Sequence, residues 1–76
     1  MLQFKDKRLV KFGAHINALR KERNMETNDI AKNCSLSIKD LMAIEKGNKN
    51  FGFTTLLELA KGLGVSPAVL LQLDLE

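Results

Sequence analysis

The stretch that decides the fold is residues 27–47, TNDIAKNCSLSIKDLMAIEKG. Ile30 and Ala31 lie on one face of a short helix beginning near Thr27, and Cys34 prolongs that face. The periodicity breaks at Asn33-Cys34-Ser35-Leu36. Ser37 then stands where a helix N-cap belongs, with Asp40 three residues on in a variant of the capping-box spacing. The second helix runs over residues 38–46, with Leu41 and Ile44 facing inward, and Gly47 ends it. Two short helices joined by a tight turn are the spacing of a helix-turn-helix unit. Ala31 lets the helices approach, and Leu36 plugs their crossing. The outer face of the second helix is left for a groove.

Outward from this unit the chain reads as all-α, five short helices without strand-type alternation. Upstream, Leu9, Phe12, Ile16 and Leu19 recur at steps of three and four and predict a helix over residues 7–23, stopped at Asn24. Downstream, Leu56, Leu59, Ala60 and Leu63 predict a helix over 53–63, closed by Gly64. Ser66-Pro67 opens a fifth helix ending near Leu75-Glu76, with Ser as cap and Pro at the first helical position. Its Val69, Leu70, Leu71, Leu73 and Leu75 exceed what one face can hide. The reading assigns the surplus, Val69, Leu71 and Leu73, to a second copy across a two-fold axis; a densely packed monomer core is the alternative.

Composition narrows the classes. The 76 residues suffice for one domain, 1–76 with a core over about 8–73. One cysteine, Cys34, cannot form an internal bridge, and with the single His15 it cannot close a structural zinc site. Cys34 reads as a small core hydrophobe, His15 as solvent-exposed on the polar face of the first helix, and Phe51 as packing under its loop or on a partner. The net charge of +3 is compatible with nucleic acid. No apolar run reaches membrane-spanning length, no signal peptide stands at the N-terminus, and the expected location is cytoplasmic. With scattered acids and no phosphate-cradling loop, the sequence offers no catalytic constellation, no metal or cofactor site and no small-molecule ligand site, so an enzyme is not expected.

Five segments, Ala18–Arg23, Asp29-Ile30-Ala31, Ser37–Gly47, Leu56–Ala60 and Leu63–Pro67, in this order and spacing, resemble the lambda-repressor-like, XRE-type helix-turn-helix family. Leu9-Val10-Lys11-Phe12-Gly13 and the compact length also resemble controller proteins of restriction–modification systems. The resemblance implies a transcriptional regulator that binds double-stranded DNA as a homodimer. It puts Ile38, Lys39, Met42 and Ala43 at groove-facing positions, with Lys46 one turn on, nearer the backbone. It puts Thr27 and Asn28 beside one phosphate strand and Asn48, Lys49 and Asn50 beside the other, and it pairs Arg20 with Glu45 across the core.

The chemistry fits these roles. Lysines give affinity through counterion release. Ser37, Lys39 and Asp40 can reach base edges, and Ile38, Met42 and Ala43 can pack on thymine methyls. Lys5, Lys7 and Arg8 would add phosphate contacts from an N-terminal arm. The chain departs from the family pattern in having Thr27 where Gln is usual and Ser35 where Gly is usual, the latter implying a strained left-handed residue. No Arg, Gln or Asn stands between Ser37 and Lys46, so specificity leans on apolar contacts and DNA shape. The apolar recognition face also suits a different use, a protein-interaction module such as an antitoxin gripping a toxin.

Overall fold

The computed structural model describes residues 6–74, which form α1 (Lys7–Glu22), α2 (Thr27–Lys32), α3 (Ile38–Glu45), α4 (Phe53–Leu63) and α5 (Pro67–Leu70), with no strand among them. Lys5, Leu75 and Glu76, which the sequence reading used, lie outside the described residues.

Each helix begins and ends for a local reason. Asp6 caps α1 by accepting from the Arg8 backbone N–H at 2.8 Å. Asn24, the sequence stop signal, takes a left-handed conformation at φ 54° and is the only non-glycine residue among those described to do so. Glu26 is the cap residue of α2, in a reciprocal box with Asp29. Ser37 caps α3 by accepting from the Asp40 N–H at 3.0 Å. Gly64 closes α4 at φ 73°.

One core joins all five helices. Phe12 and Ile16 from α1, Ile30 from α2, Leu41 and Ile44 from α3, Leu59, Ala60 and Leu63 from α4, and Leu70 from α5 are buried together. Each of the fully buried Leu and Ile side chains contributes roughly 1.5–3 kcal/mol of transfer free energy. Helix α3 lies close against α1 because residue 13 is glycine: a Cβ there would overlap the carbonyls of Ile44 and Glu45. The Phe51 ring packs on Phe12, centroids 5.1 Å apart, so this loop aromatic completes its own subunit's core.

Three expectations are corrected. Helix α5 stops at Leu70, and Leu73 instead packs back against the core; so short a helix is held by packing rather than propensity, and ends where the core contact is better met by a turn. Ser35 is not left-handed and so carries no such strain, and its N–H donates to Glu58 Oε1 at 2.8 Å, which ties the turn to α4. His15 is half-buried, its Nε2 3.0 Å from the Val69 carbonyl, and ties α1 to α5. Cys34 is half-buried and packs against the core.

Candidate nucleic-acid interface

Helix α3 has two distinct sides. Leu41 and Ile44 are 0% and 1% exposed and seat it on the core, while Ile38 and Met42 on the other side are 41% and 45% exposed. The surface there is a shallow depression lined by Ile38, Lys39, Met42, Ala43, Lys46 and Asn48. Lys39 and Lys46 are exposed and form no ion pair among the described residues. Ser37 is exposed at the start of this face.

A second depression continues from the first. Thr27 and Glu26 at the start of α2 line it together with Met42 and Lys46 of α3 and Asn17, Arg20 and Glu45 behind them. The tertiary structure thus brings Thr27 beside the recognition face, with Asn28 exposed next to it. The acidic side chains Glu26 and Asp29 at this helix start are engaged in their capping box.

The floor of this region is a polar cluster. Arg20 donates from Nε to Glu45 Oε2 at 2.9 Å and from Nη2 to Oε1 at 3.2 Å. Asn17 Nδ2 donates to the same Oε1 at 2.7 Å, and Arg20 Nη1 donates to the Met25 carbonyl at 3.0 Å. The Arg20 and Glu45 side chains are 14% and 9% exposed, so the pair implied by the family resemblance is close to fully desolvated. Donating to the Glu45 carboxylate raises the guanidinium's pKa further, so Arg20 is a permanent cation. The arrangement locks α3 to α1 and to the loop before α2.

Some predicted contacts are otherwise engaged. Lys49 Nζ lies 2.6 Å from Asp40 Oδ1, so a proposed phosphate contact and a proposed base reader hold each other. Bonds from Lys49 and then Ser37 hold the Asp40 carboxyl below its ordinary range. Arg8 is clamped on Asp6 through Nε at 3.0 Å and Nη2 at 2.7 Å, which draws the Asp6 carboxyl down to about 2. Glu58, which sequence reasoning passed over, is held below its usual range chiefly by the Ser35 N–H. Its signal was only an acid on the turn-facing side of α4, unreadable without the tertiary contact.

Away from α3, an apolar groove of about 280 Å³ is lined by Leu9, Phe12, Phe51, Phe53, Leu56 and Leu71, with Arg8 and Gly52 at its margin. Phe53 and Leu71 on its rim are 70% and 53% exposed. Of the three residues assigned to a two-fold contact, only Leu71 is exposed; Val69 and Leu73 are half-buried.

A buried-backed second helix, packed across a tight turn from α2, defines a helix-turn-helix protein. The chain belongs to the helix-turn-helix domain family, whose model matches residues 13–76, and the XRE-type resemblance agrees with this. Its fold is similar to that of the restriction–modification controller protein C.AhdI from Aeromonas hydrophila, at 29% identity and TM-score 0.76, covering 82% of this chain and 94% of that one. It is also similar to the controller protein C.Esp1396I, solved as a tetramer in complex with its natural 35 base-pair operator, at 29% identity and TM-score 0.79, covering 86% of each chain. The clp gene regulator ClgR from C. glutamicum shares the fold at 23% identity and TM-score 0.76, covering 84% and 83%. No curated protein matches the chain.

Proposed function

We propose that this protein is a sequence-specific DNA-binding transcriptional regulator that places α3 in the major groove and acts as a homodimer. The observation that carries the proposal is the two-sided α3: Leu41 and Ile44 anchor it while Ile38, Met42, Lys39 and Lys46 stand outward. The operator-bound relative supports the same use of the fold. Ile38, Met42 and Ala43 would meet thymine methyls, Lys39 a base edge, and Ser37 either a base edge or a phosphate. Thr27, Asn28, Lys46 and Asn48 would face the phosphate strands, giving affinity without sequence information, with Lys49 beside them but held by Asp40 in the free protein.

A domain this small reads too few base pairs alone, and pairing two copies raises affinity through effective concentration. Leu71 and Phe53, flanked by Val69 and Leu73, are the surface proposed to meet a second copy, which supports reading of half-sites about 34 Å apart. No described helix is long and apolar enough to cross a membrane. The exposed Ile38 and Met42 favour one second reading, a protein partner docked on the same face.

Selection of bound sequences from random duplexes, followed by a salt titration on the winner, tests the proposal. A two-fold-symmetric site and a steep fall of affinity with salt are expected. No enrichment, with binding indifferent to salt, would refute it and favour the protein-partner reading.

A further inference from the structure

Asp40 is a negative charge at the edge of the surface that the proposed function brings against a polyanion. Its neighbours on α3, Lys39 and Ile38, point to solvent, and Lys49, the cation just past the helix, reaches back to it at 2.6 Å. Ser37 Oγ accepts from the Asp40 backbone N–H, and the Asp40 carboxyl in turn accepts from Ser37, so the carboxylate serves the helix cap as well as Lys49. The free protein therefore carries its own anion on Lys49.

Resting on the DNA-binding reading, we infer that Asp40 is a specificity-determining residue: it competes with DNA phosphate for Lys49 and thereby holds down binding to arbitrary sequence. Non-specific binding draws its affinity almost wholly from phosphate contacts, each contributing about −0.9 to the slope of log K against log salt. The exchanged counterions are cations condensed on the DNA; while Asp40 holds Lys49, that lysine neutralises no phosphate and displaces none, so it contributes little to the slope. Binding to a cognate site has base contacts in addition, and loses proportionately less from the internal competition.

The test is a pair of salt titrations on a random-sequence duplex with the full chain, crossing Asp40→Asn with Lys49→Ala. Asp40→Asn should tighten binding at low salt and steepen the slope by about 0.9, which between about 50 and about 200 mM salt is a roughly 3.5-fold larger loss. Lys49→Ala should change the slope little in the native background and by about 0.9 in the Asp40→Asn background. A merely structural pair would shift the melting temperature and leave this coupling at zero. Asp40→Ser, also short and polar, repeats the test if the Asn variant melts early. An unchanged slope in both Asp40 variants, or a full-sized effect of Lys49→Ala in the native background, overturns the inference while native binding stands. Salt-independent binding by the native protein overturns the inference and the DNA-binding reading together.

Discussion

Replacing Glu45 by alanine removes the acceptor of three hydrogen bonds, two from Arg20 and one from Asn17. An exposed ion pair is worth roughly 0–1 kcal/mol, and stripping one partner from a buried pair costs about 3–5 kcal/mol. Arg20 and Glu45 are 14% and 9% exposed, nearer the buried limit, but Arg20 keeps its bond to the Met25 carbonyl and can recruit some water. The expected loss is therefore about 2 kcal/mol, or roughly 8–16 °C in melting temperature for a domain of this size. Urea unfolding followed by far-ultraviolet circular dichroism reads this directly. A cycle with Arg20→Ala should show a coupling of about 1.5 kcal/mol, because the second removal no longer strands a charge. The selected DNA site should be unchanged in the folded fraction. A loss below about 0.5 kcal/mol would mean the pair behaves as a solvated surface contact, and the argument from desolvation would be wrong.

Further outcomes follow from the same contacts. Gly13→Ala gains about 1 kcal/mol of helix propensity yet drives a Cβ into the Ile44 and Glu45 carbonyls, so a net destabilisation of at least about 1 kcal/mol is expected; a more stable variant would contradict the close approach of α1 and α3. Leu71→Asp or Phe53→Asp should give a monomer by sedimentation without unfolding, whereas an unchanged mass for both would retire that surface. Lys39→Ala should weaken cognate binding more than random-sequence binding, and equal losses would move Lys39 to the phosphate class. The Asp6, Asp40 and Glu58 carboxyls are all held below their ordinary values of 3.8 for Asp and 4.5 for Glu. The unfolded chain thus binds more protons as acid is added, and their contribution, present above those values, is lost as pH falls through the folded ones. The melting temperature should drop as pH goes from about 4.5 toward about 2; a constant value there would contradict the three assignments.

The elements that punctuation marks were legible in the sequence. Helix α4 has the expected bounds, Phe53 to Leu63, because glycines flank a strongly periodic run, and Asn24 turns the chain where a stop was read. Helix α3 was readable because its Ser cap and its Leu41–Ile44 stripe agree with each other. The rest depended on partners distant in the chain. The His15 bond to the Val69 carbonyl spans 54 residues, and nothing local marks it. Ser35 stands where a glycine was expected without being left-handed, and its N–H is held by Glu58, 23 residues on. Asp40 and Lys49 were assigned separate roles because each was weighed against DNA rather than against the other. The fifth helix was overextended because apolar content was read as helix length, when Leu73 is satisfied by turning back to the core. Gly13 was the overlooked local clue, since a glycine inside a helix implies close packing.

The central claim is that the outward side of α3 is the surface that enters DNA. Methyl and amide NMR spectra of the protein, recorded with and without a duplex carrying its selected site, test it most directly. The largest shifts are expected at Ile38, Met42 and Ala43, with Leu41 and Ile44 moving less. Shifts confined to Phe53, Leu71 and the groove between them, with α3 silent, would contradict it.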